Sequence, residues 1–163
     1  MTIYIERIYT DGCCFNNGQA GAAAGIGVYF GPGDNRNISQ PLSGRQTNQR
    51  AEIAAVVLAV RHGDPDCALK IYTDSKYVVN SVNLYLRKWE QNDWINSNGS
   101  PIVNQDLFKK LSYEIDRHPY DVAIVSSQLD FTDIKKHIPS HSNITGNECA
   151  DLLAKKGARN SRQ

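Results

Sequence analysis

The tetrapeptide Ile-Tyr-Thr-Asp occurs twice in this chain, as Ile8-Tyr9-Thr10-Asp11 and as Ile71-Tyr72-Thr73-Asp74. Each copy closes a run of β-branched and aromatic residues, which favours extended backbone. If the two strands lie parallel and adjacent, both aspartates arrive at one edge of one sheet. Carboxylates held that close repel one another unless a cation sits between them. The repeat therefore constrains the fold and marks a candidate metal site together.

The remaining pattern surrounds these two strands. Residues 3–10 read as the first strand, 12–21 as a turn-rich break carrying Asn16-Asn17-Gly18, 22–30 as a second strand and 37–42 as a short third. An Ala/Val/Leu-dense helix is expected over 47–60, capped by Thr47 or Asn48. A strand follows at 68–73, with a helix starting at Ser75. Residues 82–94 are helical but mixed, 96–101 are a polar loop, and 103–117 form an amphipathic helix. Residues 121–137 contain one or two strands, and a terminal helix spans 146–158. Three consecutive strands followed by alternating helix and strand imply an α/β fold, a mixed sheet flanked by helices. No linker or second domain is visible.

Composition narrows the class. The 163 residues, 40% hydrophobic and 21% charged, suit one globular domain. No apolar run approaches the roughly 20 residues of a spanning helix, and the first residues lack a secretory or transit pattern. Cys13, Cys14, Cys67 and Cys149 have no C-x-x-C spacing, so free thiols in an intracellular protein, cytoplasmic or nuclear, are expected rather than zinc. The net charge of +1 hides basic clusters at 45–50, 87–88, 109–110, 135–136 and 155–162, compatible with a basic face beside an acidic pocket.

Among the acids, Asp11 could begin an Asp-Gly turn and Asp74 could cap a helix. Asp151 could pair with Lys155 one turn away. Glu52 is harder to dismiss: on a helix it shares a face with Ala55, Val56 and Ala59, the face that packs on a sheet, where an unpaired carboxylate costs several kcal/mol.

Taken in order, Tyr9-Thr10-Asp11-Gly12, Thr47-Asn48-Gln49-Arg50-Ala51-Glu52, Tyr72-Thr73-Asp74-Ser75 and His141-Ser142 followed by Gly146-Asn147-Glu148-Cys149-Ala150-Asp151 closely resemble the motifs of ribonuclease H type 1. The resemblance covers about residues 3–158 and is nearest the cellular eukaryotic form, with no separate hybrid-binding module. It implies a five-stranded ribonuclease H-like sheet and a monomeric endonuclease that cuts the RNA strand of RNA–DNA hybrids with little sequence preference, leaving 5′-phosphate and 3′-hydroxyl ends. Asp11, Glu52, Asp74 and Asp151 would hold two Mg²⁺ ions, with Mn²⁺ a possible substitute. His141 would assist proton transfer or product release. His137 is expected to be a surface residue, and His62 and His118 to sit at helix ends.

By the same resemblance, Asn17, Asn48 and Gln49 would contact RNA 2′-hydroxyls, with Cys14 and Asn16 adding backbone contacts. Arg45, Thr47 and Asn104 would hold a phosphate of the DNA strand. Tyr85, Trp89 and Ser97 would line a channel for the DNA sugars, supported by Trp94. Several positions depart from the family pattern: Tyr85 stands where tryptophan is usual, residues 87–98 are less basic than in bacterial relatives, residues 117–131 are longer than the usual connection, and Ser140 replaces a common glycine. Ser126-Ser127-Gln128 within that longer segment has no assigned role. Rival readings are an integrase- or resolvase-like enzyme acting on DNA, a non-catalytic nucleic-acid-binding module, and a ribonuclease H domain cut from a reverse transcriptase. The Asn48-Gln49 pair argues against the first, since DNA has no 2′-hydroxyl to read.

Overall fold

The structure is a computed structural model that describes residues 2–128 and 145–161. Five strands form one mixed sheet: β1 (Ile5–Phe15), β2 (Ala23–Tyr29), β3 (Ile38–Pro41), β4 (Ala68–Thr73) and β5 (Val122–Ser126), in the spatial order β3-β2-β1-β4-β5. The first three make an antiparallel meander, whereas β4 lies parallel to β1 and β5 parallel to β4. Parallel neighbours need a long crossover. Helix α1 (Asn48–His62) supplies it between the meander and β4.

The duplicated tetrapeptide lies in register across β1 and β4. Ile8 pairs with Ile71 and Tyr9 with Tyr72, and the two tyrosine rings stack with centroids 4.8 Å apart. Both aspartates therefore reach the same sheet edge. One expectation about β1 needs correction: the strand does not break at Gly12 but continues to Phe15, because β2 keeps pairing with it from Tyr9 to Phe15 after β4 has ended. Asp11 is thus an in-strand residue, while Asp74 follows the last residue of β4.

Alternate residues of a strand face opposite sides of the sheet, and glycines on the two faces seat two different helices. Gly12 meets the backbone of α1, while Gly25 and Gly27 meet that of α5 (Gly146–Asn160). The core between α1 and the sheet includes Ile8, Ile26, Val28, Ile53, Val56, Val60 and Ile71. Further along the chain come α2 (Lys76–Asn80), a π-helical turn (Ser81–Tyr85), α3 (Leu86–Gln91) and α4 (Gln105–Arg117). Helix α4 packs on α1, with Phe108 and Leu111 fully buried. All four cysteines are free thiols. Among the described residues no helix is long and apolar enough to cross a membrane.

Candidate active site

The acids come from four elements. Asp11 lies in β1, Glu52 in the first turn and a half of α1, Asp74 just beyond β4 and Asp151 in α5. Asp11 and Glu52 are buried, at 7% and 6% exposure, while Asp74 is exposed and Asp151 half-buried. The Asp11 carboxyl is within hydrogen-bonding reach of both Glu52 and Asp151, and the Asp74 charge acts on Asp11 and Glu52.

Burial first pushes the Asp11 and Glu52 carboxyls well above the usual range. Asp11 then raises Glu52 further, whereas Asp11 is raised by Asp151 and Asp74 and partly relieved by its hydrogen bond with Glu52. The two share protonation, with Glu52 the one that keeps its proton longer. Compensation is sparse. Gly12 N–H donates to Asp11 Oδ1 at 3.0 Å, Lys155 Nζ lies 2.8 Å from Asp151 Oδ2, and the Ser127 hydroxyl donates to Asp74 Oδ1. Glu52 Oε2 is buried without a partner.

Asp151 and Asp74 thus each have a partner outside the cluster as well as an interaction with Asp11. Among the described residues no three His, Cys, Asp or Glu side chains already stand in ion-holding geometry. The donor set nevertheless fits a divalent cation. It consists of hard oxygen ligands, carries more negative charge than its surroundings neutralise, and includes one orphaned buried carboxyl oxygen. The Asp151–Lys155 pair shows that the ordinary ion-pair reading of Asp151 and its place in the acidic cluster hold together.

The loop between β1 and β2 meets the start of α1 beside this cluster. Asn16 has a left-handed backbone (φ 54°), and Asn17 Oδ1 accepts the Asn48 N–H at 3.1 Å. That bond ties Asn17 to the helical turn bearing Asn48 and Gln49, all three exposed. The Cys14 thiol is turned inward, donating weakly to the carbonyls of Phe15 and Gln46 at 3.7 Å, which leaves only its backbone for a ligand. Gln46, which nothing in the sequence singles out, holds the loop ahead of α1. Its Oε1 accepts Ala24 N–H at 2.7 Å, and its Nε2 donates to the Leu42 and Gly44 carbonyls at 2.6 and 2.9 Å.

Thr47 caps α1, its hydroxyl accepting Arg50 N–H at 3.1 Å. Arg45 beside it is exposed. Asn104, the left-handed residue (φ 60°) that opens α4, is joined to α1 by Arg50 Nη1 at 3.3 Å. Arg45, Thr47 and Asn104 thus gather around the N-terminal ends of α1 and α4.

A cleft of about 300 Å³ is lined by Tyr77, Tyr85, Trp89, Asn96, Ile102 and Val103. Tyr85 stacks on Trp89 at 5.9 Å, and Trp89 contacts Trp94 and Phe108. The π-helical turn that ends at Tyr85 leaves this ring 46% exposed. Trp94 is half-buried and packs against the core cluster, so it supports the cleft from behind. Ser97 is exposed on a turn organised by Asn96, whose Oδ1 accepts from Asn98 N–H and Ser100 N–H at 3.2 and 3.1 Å. His62 closes α1 and His118 follows α4, where His118 Nε2 meets the Cys67 carbonyl at 2.7 Å. His141, His137 and Ser140 lie outside the described residues.

The family model described as RNase H matches residues 5–159. Ribonuclease H1 of Mus musculus is 40% identical over 156 residues, covering 94% of this chain and 50% of the mouse protein. Ribonuclease H of Schizosaccharomyces pombe is 40% identical over 154 residues, covering 94% of this chain and 53% of its own. The chain therefore spans about half the length of these relatives. Among solved structures, a foamy viral protease-reverse transcriptase in complex with an RNA/DNA hybrid superposes with a TM-score of 0.75 at 26% identity, covering 96% of this chain and 20% of that one. With its motifs in order and a family match over nearly its whole length, this chain belongs to the RNase H family.

Proposed function

We propose that this chain is a metal-dependent endonuclease that hydrolyses the RNA strand of RNA–DNA hybrids. The observation that carries this reading is the buried Asp11–Glu52 pair, whose raised carboxyls and orphaned Oε2 are short of positive charge at the edge where Asp74 and Asp151 also arrive. Asp11, Glu52, Asp74 and Asp151 would hold two Mg²⁺ ions, which supply Lewis acidity at the scissile phosphate and acidify the attacking water. The protein's other groups bind and orient. Asn17, Asn48 and Gln49 would meet RNA 2′-hydroxyls, with Asn16 and Cys14 adding backbone contacts. One lone pair of Asn17 Oδ1 is used by Asn48 N–H, which orients the amide so that its Nδ2 protons are free to donate to a ribose.

The DNA strand would be held at two places. Arg45, Thr47 and Asn104 would bind a phosphate, and Tyr85, Trp89 and Ser97 would pack its sugars. These contacts go to sugar and phosphate and confer little sequence preference. His141 would move a proton during hydrolysis or product release. The products would carry 5′-phosphate and 3′-hydroxyl ends. A monomeric single catalytic domain suffices for this chemistry, and the free thiols suit a reducing intracellular compartment.

A three-substrate comparison tests the reading. With Mg²⁺ present, labelled RNA–DNA hybrid should lose only its RNA strand, while double-stranded RNA and double-stranded DNA stay intact. Cleavage of double-stranded DNA at a comparable rate would favour an integrase-like enzyme instead.

A further inference from the structure

Arg50, two residues before Glu52 in α1, reaches Asn104 at the start of α4, and nothing above assigns it a role. Its side chain is only 14% exposed. The guanidinium forms a two-pronged pair with Asp106, Nη1 to Oδ1 at 2.9 Å and Nη2 to Oδ2 at 2.6 Å. That contact holds the Asp106 carboxyl down at about 2. With both prongs anchored, Nη1 still reaches Asn104 Oδ1 at 3.3 Å.

A guanidinium can only donate. Whatever amide atom faces it must therefore be the oxygen, since the flipped amide would set N–H against N–H. The Asn104 Nδ2 is then fixed on the other side, where it meets Tyr77 Oη at 3.2 Å and keeps its second proton free. The left-handed backbone of Asn104 (φ 60°) suits asparagine better than most side chains, so residue type and amide orientation are both set.

The same arginine fixes a second group from its backbone. Arg50 N–H donates to Thr47 Oγ1 at 3.1 Å, which occupies an acceptor lone pair and leaves the hydroxyl proton to be given elsewhere. Thr47 and Asn104 are thereby both arranged as donors, the polarity an anion requires.

We infer that Arg50 is a positioning residue for the DNA-strand phosphate: without touching it, Arg50 orients the Asn104 amide and the Thr47 hydroxyl so that both donate to one anion. This rests on the hybrid-cleaving reading and deepens it. It explains why a half-buried cation beside the groove is anchored to an exposed aspartate rather than left for the nucleic acid. Removing the side chain should free the Asn104 amide to rotate while leaving the acids intact.

The test uses hybrids in which single DNA phosphates are replaced, one position at a time, by uncharged methylphosphonates. The wild-type chain should show one position where the replacement raises KM about tenfold, the effect of losing one charge-assisted contact. Arg50→Met should raise KM on the unmodified hybrid severalfold with kcat changed less than about twofold, and should show a clearly smaller penalty at that position than wild type, because it loses the Asn104 contact but keeps the backbone N–H that holds Thr47. Arg50→Lys should behave like Arg50→Met, because a single ammonium cannot hold Asp106 by two prongs and reach Asn104 as well.

Asp106→Asn keeps Arg50 but removes its anchor at an exposed position, so it answers even if Arg50→Met folds poorly. It should give an intermediate rise in KM and a weakened methylphosphonate effect. An unchanged KM in Arg50→Met or in Asp106→Asn, or a variant penalty that adds in full to the methylphosphonate penalty, would overturn the inference about Arg50 alone. A wild-type chain that neither binds nor cuts hybrid would overturn the functional reading and this inference with it.

Discussion

Gly12 and Glu52 are separated by no more than backbone: a Cβ added at Gly12 would lie 2.4 Å from the Glu52 amide nitrogen. This contact sets how near α1 comes to β1, and so how near Glu52 comes to Asp11. Gly12→Ala should push the helix outward, destabilising the chain by about 1–3 kcal/mol as overpacking does. It should also lower cleavage by more than the loss of folded protein explains. Urea unfolding, compared with turnover per folded molecule, checks both.

Glu52→Gln separates the charge from the shape. Burial and its neighbours raise the Glu52 carboxyl, so the metal-free protein favours its protonated form, which an amide imitates. The variant should unfold within about 1 kcal/mol of wild type in chelator, yet lose most of the stabilisation that Mg²⁺ gives and drop in kcat by about 100-fold or more. Thermal unfolding with and without Mg²⁺ measures the first part and single-turnover cleavage the second. A variant still stabilised by Mg²⁺ as wild type is would show that Glu52 is not a ligand.

The raised carboxyls also fix the sign of the pH dependence. Asp11 and Glu52 ionise at higher pH folded than unfolded, so in chelator their contribution to stability is fully present below about pH 4. It fades as pH rises through their folded values. Divalent binding requires the ionised forms and should therefore release protons near neutrality and tighten as pH increases. Titration calorimetry in two buffers of different ionisation enthalpy reads the proton count; zero protons released at pH 7 would contradict the assignment.

Much of this is legible in the sequence. The repeated tetrapeptide, the capping Thr47, the apolar face that includes Glu52 and the Asn-Asn-Gly turn all act through near neighbours, so sequence pattern shows them directly. The length of β1 was not legible, because pairing with β2 carries it past Gly12 and that pairing depends on a partner strand. Gln46, Asn96 and Arg50 were missed for a related reason. Each works through hydrogen bonds from a side chain whose type is common in loops and helix starts. The Ser127 hydroxyl, from the longer segment before α5, reaches Asp74 only because β5 lies parallel beside β4.

The groove predicts a shallow salt response. Arg50 and Arg87, within or near the segments that would flank a hybrid, are already paired with Asp106, Glu90 and Asp116, which leaves fewer cations to displace counterions. The slope of log K against log salt should correspond to fewer than about eight phosphate contacts. Fluorescence anisotropy of labelled hybrid between low and moderate salt measures it, and a steeper slope would mean that basic groups other than these dominate binding.

The most direct measurement is a Mg²⁺ titration of RNA-strand cleavage in a labelled hybrid, run for the wild-type chain and for Asp74→Asn, each with a chelator control. Wild type should cut only when Mg²⁺ is present, and Asp74→Asn should bind hybrid comparably yet fail to cut it at any Mg²⁺ concentration. Turnover by Asp74→Asn at saturating Mg²⁺, or undiminished cutting by wild type in chelator, would contradict the account.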